Sequence, residues 1–408
     1  VSRIHDVVIV GGRVAGAATA LLLARAGFDV TVIERAAHGS DTLSTHALLR
    51  GGVLQLARWG VLPHVVDTGT PAVRRTTFHY PDIDPVSVTL RAGSGVEALY
   101  APRRHVLDRI LIDAAARQGA DVLHGRTVTE ILTAQGRVTG VRVTGDPTSG
   151  TGASAGTPLL ARWVIGADGI ASTVARSVAA PTRKTGRAGS SVLYRYVDEC
   201  PVDEYVWAYG DRAAAGMIPT NDGQACVFVS TTPQRMRMAA RAGRDTAFDM
   251  LLEHASYTLR DLVRGAGAQG PLRGWAGRPG FLRRAWGPGW ALVGDAGYFK
   301  DPISAHGMTD ALRDAELLAR AVASAGSGVE ESSAFAEFER RRDALSIPYF
   351  STIDAIASYD WTPATVRGLL REASSAMSDE VEAIEAFDVL PGHGDSAGHR
   401  ELARSHHG

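Results

Sequence analysis

The sequence predicts an α/β fold: a parallel domain built on a βαβ unit, an inserted and mostly antiparallel β-sheet, and C-terminal helices. Three observations predict it. Residues 6–34 read strand, helix, strand around a glycine turn. Two later apolar runs, residues 162–169 and 290–297, end as buried strands on an acid beside a glycine. The segments 73–91 and 190–230 instead show the alternation and strand-forming composition of a separate sheet.

The first observation carries chemistry. Asp6 to Val10 is the apolar run of a buried strand, closed by Gly11 and Gly12. A small-residue helix follows, with Ala17, Ala20, Leu21 and Ala24 on one face. After Gly27, Val30 to Ile33 form a second strand that ends on Glu34. This is the order of a Rossmann-like dinucleotide-binding unit. Gly11 and Gly16 let backbone N–H groups approach a pyrophosphate at the helix N-terminus, and Glu34, with Arg35 beside it, stands where an acid accepts hydrogen bonds from a ribose. Arg13 replaces the middle glycine of the G-x-G-x-x-G fingerprint. A guanidinium turned toward the phosphate would make a charge-assisted contact there.

Bulk properties narrow the class. The chain has 408 residues, with 43 Lys and Arg against 44 Asp and Glu, so no broad basic field marks a nucleic-acid partner. Cys200 and Cys226 are too far apart for a C-x-x-C metal or redox motif. No apolar run reaches the length of a membrane span, and the chain enters its first strand too soon for a signal peptide. A soluble, cytoplasmic protein is expected. No metal site is expected either, because His393, His399, His406 and His407 lack ligand spacing on a helix and read as part of a loose polar tail, residues 360–408.

In chain order, residues 43–59 read as a helix stopped by Gly60, and its Arg50 can return to the pyrophosphate. Arg103 and Arg104 lead into a helix over 106–118, and a short strand follows at 121–123. A hairpin turns at Gln135-Gly136, and 145–158 reads as a mobile surface loop. A turn at Asn221-Asp222-Gly223 joins two strands of the second sheet, and 234–264 is helical in pattern. Residues 265–270 match G-x-G-x-x-G letter for letter, yet follow a helix and precede Pro271, so they do not mark a second nucleotide unit. The loop 300–307 opens a helix over 308–325 whose inner stripe is Ala311, Ala315, Leu318 and Val322. A last helical stretch, 335–358, is broken at Pro348.

Three elements in order, the βαβ start, Asp168-Gly169 and Gly294-Asp295, resemble the FAD-dependent aromatic hydroxylases built like para-hydroxybenzoate hydroxylase. The likeness spans residues 4 to 350. It implies FAD, with Gly11, Gly16 and Glu34 on the ADP half, Asp168 near the pyrophosphate and Asp295 on the ribityl chain. Pro302, Gly307 and Met308 fall at the flavin ring. Arg50 and Arg104 occupy the family's cationic and ribityl-contacting positions, with Arg103 as the alternative to Arg104. The ring loop departs from the family pattern: Ala305 replaces a glycine, His306 a glutamine, and Tyr298 a histidine. In the acid–glycine element Ala175 replaces an arginine.

The resemblance implies residues 1–72, 98–185 and 280–330 for the FAD-binding domain, 73–97 and 186–279 for the substrate domain, and 331–408 for C-terminal helices and the tail. It implies a monooxygenase using NAD(P)H and O2 on a small organic substrate, aromatic or polycyclic. Trp207, Tyr209 and Met217 are the pocket candidates, and His46 and His306 the proton-handling candidates. The alternatives are a flavin-dependent reductase of a carbon–carbon double bond, like the geranylgeranyl reductases, and a non-catalytic flavin carrier.

Overall fold

In the computed structural model, which describes residues 3–81, 83–144, 156–388 and 390, the opening apolar run is the strand Ile4–Val10. It lies in the middle of a sheet. Val30–Glu34 pairs with it on one side and Thr157–Gly166 on the other, both parallel. Asp121–His124 and Trp290–Leu292 extend the parallel set outward. The hairpin Val128–Ala134 and Arg137–Val143 attaches antiparallel to Thr157–Gly166, turning at Gln135-Gly136 as its sequence requires. Parallel pairing brings the carboxyl ends of these strands to one edge, followed by Gly11, Ala167-Asp168 and Gly294-Asp295.

Two helices hold the first face of this sheet. Val7, Ile9, Trp163 and Ile165 pack with Val14–Arg25 and Gly307–Gly326, while Val8, Val10 and Val164 face the hairpin. Two glycines set the approach of the first helix. Gly11 has φ +102°, and a Cβ there would lie 2.4 Å from the Ala167 carbonyl oxygen; at Gly16 it would lie 1.8 Å from the Gly11 carbonyl oxygen. No side chain longer than hydrogen fits.

The second sheet has seven strands in the order Arg273–Trp275, Ser191–Val197, Ala225–Thr231, Ala213–Pro219, Tyr205–Gly210, Arg75–Tyr80, Ile83–Thr89. It is antiparallel except where Tyr205–Gly210 meets Arg75–Tyr80. Alternation sorts its side chains. Tyr194, Tyr196, Trp207, Tyr209 and Phe228 share one face, and Val206, Ala208, Met217 and Val227 share the other, which packs on the helices Arg244–Ala255 and Tyr257–Gly265.

Several expectations are corrected. The helix expected from residue 43 starts at Arg50, because His46 takes a left-handed φ of +68° and Leu48 bridges to Tyr100. The stretch 234–264 is divided by Gly243 (φ +109°) and by Ser256, whose hydroxyl caps the next helix. Pro348 does not break its helix, which runs through it as Glu331–Ile356. The largest correction is in the polar tail: Pro363–Glu385 is a helix, capped by the Thr362 hydroxyl with proline in its first turn. Its Val366, Leu369, Leu370, Ala373 and Met377 form a helical stripe against the aromatic face. The tail histidines and residues 145–155 of the expected loop lie outside the described residues; Thr157 already begins a strand. No helix among the described residues is long and apolar enough to cross a membrane.

The close approach at Gly16 yields a stability prediction. Gly16→Ala is expected to cost about 3 kcal/mol, as an overpacking substitution against rigid backbone. Urea unfolding of parent and variant measures it; a loss below the usual scatter of surface substitutions would contradict the packing described.

Candidate functional site

The carboxyl edge of the parallel sheet gathers most of the residues singled out above. At the end of Val30–Glu34, the Glu34 carboxylate accepts from Gly12 N–H at 2.7 Å and from Ala36 N–H at 2.8 Å. Those two bonds fix both oxygens in place and leave lone pairs for hydroxyl donors. The cleft beside it is lined by Gly12, Arg13, Ser40, Asp108 and Arg109, while Arg35 is exposed at the strand end.

Arg13 has partners within the chain. It caps the helix Val14–Arg25 by position, without a side-chain bond to the helix amides, and its guanidinium reaches Asp108 at 3.0 Å and the Ser40 hydroxyl at 3.2 Å. A buried carboxylate within the chain thus shares the Arg13 charge. Arg104 serves the same acid, with both of its contacts to Asp108 at 3.1 Å. Arg103 turns to the second sheet, stacking 3.7 Å over the Tyr196 ring and pairing with Asp41 at 3.2 Å. Arg50 donates to the Arg91 carbonyl at 3.1 Å and so holds the 91–93 turn.

Asp168 and Asp295 close the edge. One Asp168 oxygen accepts from Thr173 N–H at 2.6 Å, and the other is buried with no partner among the described residues. Gly294, at φ +58°, presses its turn against the first helix, where a Cβ would come within 2.9 Å of the Ala15 methyl. Burial pushes the Asp295 carboxyl up to about 6, against the pull of Lys300 and Arg104.

The loop after it is anchored to the second sheet, since Ser190 N–H donates to Asp301 at 2.5 Å and Ile303 N–H to the same carboxylate at 2.9 Å. Pro302 opens a single turn, Ala305 takes a left-handed φ of +47°, and Gly307 starts the long helix. A Cβ at Gly307 would meet nothing within 4 Å, so the helix N-terminus faces open space, with Met308 buried behind it. Two helix N-termini, three acids and an orphaned carboxylate oxygen on one edge fit a dinucleotide with a second, ring-bearing half.

Under this loop lies a charge network absent from the sequence reading. His306 Nε2 is 2.7 Å from Glu380, and Arg313 reaches Glu380 at 2.8 Å, Asp310 at 3.1 Å, Asp314 at 2.7 Å and the Ser346 hydroxyl at 2.9 Å. Lys300 pairs with Asp310. The Arg313 guanidinium and the hydrogen bond from His306 hold the Glu380 carboxyl below its ordinary range despite burial, while burial draws Lys300 down to about 7. The donor atoms of His306, Asp310 and Glu380 lie within 4.8 Å of one another, close enough for metal ligands, but Lys300 and Arg313 already supply the positive charge. The one signal for this network was the spacing of His306, Asp310, Arg313 and Asp314, a single helical face; Glu380 had none.

His46 reaches the second sheet. Its Nε2 meets the Tyr196 hydroxyl, and the rings stack at 5.6 Å between centroids. Burial drives the imidazole down to about 3, so it is neutral at pH 7. Trp207 and Tyr209 lie on this same face, Ile303 packs in the same cluster, and Ala305 packs against it. Met217 does not: it pairs with Val206 and Val227 and faces the helices behind the sheet. A period of two decides its side, so Met217 cannot share a pocket wall with Trp207 and Tyr209.

Fold and site together define an FAD-dependent oxidoreductase with the architecture of the para-hydroxybenzoate hydroxylase-like enzymes. The chain belongs to the FAD binding domain family, whose pattern matches residues 5–347. Among curated proteins it is 26% identical over 357 residues to digeranylgeranylglycerophospholipid reductase 2 of Methanothermobacter thermautotrophicus, covering 83% of each chain. It is 27% identical to the 6-methylpretetramide 4-monooxygenase of Streptomyces rimosus, over 76% of this chain and 73% of that one. Among solved structures, a flavin-dependent brominase aligns over 99% of both chains with a TM-score of 0.77 at 17% identity. PqsL of Pseudomonas aeruginosa, solved with 2-aminobenzoylacetate, aligns over 92% of this chain and all of that one, with a TM-score of 0.72 at 19% identity.

Asp295 supplies a pH prediction. Its carboxyl is raised from about 3.8 to about 6, so the folded state binds the proton more tightly and ionisation destabilises the fold as pH rises through that window. Asp295→Asn in the protein stripped of cofactor is expected to be more stable than the parent at pH 8 by about 1–2 kcal/mol, an advantage that shrinks as pH falls to 4. Urea unfolding at pH 8 and pH 4 reads it. An advantage that does not change with pH would contradict the shift.

Proposed function

We propose that this protein is an FAD-dependent monooxygenase that uses NAD(P)H and O2 to hydroxylate or epoxidise a small, planar, aromatic or polycyclic substrate. The observation that carries this reading is the aromatic face of the second sheet. Tyr194, Tyr196, Trp207, Tyr209 and Phe228 cluster with Ile303 and Ala305 of the loop that opens the long helix, and the helix Pro363–Glu385 covers them. Rings suit rings, by dispersion and by offset stacking. The 6-methylpretetramide monooxygenase likeness supports the polycyclic class.

In this reading the N-terminus of Val14–Arg25, approached through Gly11 and Gly16, takes the pyrophosphate. Glu34 takes the adenosine ribose, Asp168 the neighbourhood of the pyrophosphate and Asp295 the ribityl hydroxyls. Pro302, Gly307 and Met308 border the flavin ring. FAD held by these residues would supply the hydride-accepting and oxygen-transferring chemistry, which belongs to the cofactor and not to the chain. The chain's own tasks are to orient the substrate against Trp207 and Tyr209, to keep water out beneath the C-terminal helix, and to hold a proton on the His46–Tyr196 pair. Arg13 ties the helix Arg104–Arg117 to the adenosine cleft through Asp108, whose carboxylate Arg104 of the same helix also orients.

A second reading, reduction of a carbon–carbon double bond without oxygen, is supported by the 26% identity to the digeranylgeranyl lipid reductase. Oxygen separates the two. With hydroxylated polycyclic aromatics as probes, NADPH oxidation and O2 uptake are expected to rise together, with one oxygen atom in the product. Product formation by substrate reduction under nitrogen would overturn the monooxygenase reading.

Two variants test the assignments. Asp295→Asn is expected to loosen FAD about tenfold, the loss of one charge-assisted hydrogen bond, measured by fluorescence titration of stripped protein. Trp207→Ala is expected to raise KM about tenfold or more for a polycyclic probe with FAD content unchanged, a loss of aromatic contact area. Unchanged KM would remove Trp207 from the pocket.

A further inference from the structure

We infer that Glu380, on the C-terminal helix, is a positioning residue that fixes His306 in one tautomer and leaves its Nδ1 as a lone-pair acceptor beside the flavin ring. This rests on the placement of the ring at residues 302–308. The geometry supplies the rest. His306 and Glu380 are both about 2% exposed, and Nε2 is 2.7 Å from the Glu380 carboxylate. The other Glu380 oxygen is held by Arg313 at 2.8 Å, and Arg313 is itself fixed by Asp314 and Ser346. Tyr349 braces the imidazole edge-on, with ring centroids 4.9 Å apart.

An ionised carboxylate can only accept, so Nε2 carries the proton and donates. Burial lowers the imidazole below its ordinary range, so the ring is neutral at pH 7 and Nδ1 is the unprotonated nitrogen. It is buried and has no partner among the described residues. A buried acceptor without a donor is costly, and a ligand donor relieves that cost. The oxidised flavin ring has one such donor, the imide N–H between its two carbonyls. His306 lies between Ala305, in its left-handed conformation, and Gly307, where open space begins.

Glu380 lies beyond residues 5–347, the part of the chain that matches the family. The helix that carries it also packs Leu369, Leu370 and Met377 against the aromatic face. One element thus touches both the substrate side and the ring loop. Gly51 makes room for it: a Cβ there would lie 3.2 Å from a Glu380 carboxylate oxygen and 3.3 Å from Ile384 of the same helix.

The test uses the whole chain with and without FAD. In protein labelled with 15N-histidine, the His306 signals, assigned by their loss in His306→Gln, are expected to show protonated Nε2 and bare Nδ1. Adding FAD is expected to shift Nδ1 and not Nε2. The opposite tautomer, or an Nδ1 signal unmoved by stoichiometric FAD, overturns the inference and leaves FAD binding itself intact. Absence of FAD binding would instead overturn the cofactor placement, and this inference with it. Folded Glu380→Gln is expected to change the visible flavin spectrum in the same sense as His306→Leu, with no further change in the double variant. Additive spectral changes would mean that the two residues act separately, which would also overturn it.

Discussion

The parallel pairing of Ile4–Val10 with Val30–Glu34 and Thr157–Gly166, and of the latter with Trp290–Leu292, is the constraint on which the rest depends. Parallel strands end together. Residues more than 280 positions apart in sequence, Gly11 and Asp295, therefore meet on one edge. The close contact of Gly16 with the Gly11 carbonyl and of Gly294 with Ala15 then draws a helix N-terminus into the same place. Neither contact tolerates a side chain, so the phosphate-type geometry and the backbone packing are the same requirement.

The second sheet is joined to this edge through polar links. Ser190 N–H donates to Asp301, Arg103 stacks on Tyr196 while pairing with Asp41, and Arg273 reaches the same Asp41 at 3.0 Å. Their two arginines hold the Asp41 carboxyl down at about 2, against the effect of burial. Between the two sheets sits an aromatic cluster that the C-terminal helix covers.

The third layer is electrostatic. Arg313, Lys300, Asp310, Asp314 and Glu380 are all buried, each charge has an opposite partner, and the neutral His306 joins them through its hydrogen bond to Glu380. Such a network contributes less to stability than an apolar core would, because desolvation offsets much of its attraction. What it supplies is fixed geometry beneath the loop 300–307, whose Lys300 and His306 it holds.

Much of this was legible in the sequence. Strand, helix and acid at residues 6–34, the two acid-ended strands, and the false fingerprint at 265–270 follow from local periodicity and from what stands on either side of a motif. Those are short-range properties, determined by neighbours a few residues away. Met217, Arg13 and Glu380 were not legible, for three physical reasons. Met217 turned on strand register, where one step exchanges the faces of a sheet. Arg13 turned on which anion lay nearest in space, and Asp108 is 95 residues away. Glu380 sits in a helix that looks polar in sequence because its outer face is polar, and its carboxylate becomes meaningful only when that helix folds back onto His306. The sequence by itself determined the strands of the parallel sheet, their acid-ended turns and the cofactor class. The tertiary structure alone decided which buried charges share a partner, because a carboxylate's environment is set by distance and burial, not by its place in the chain.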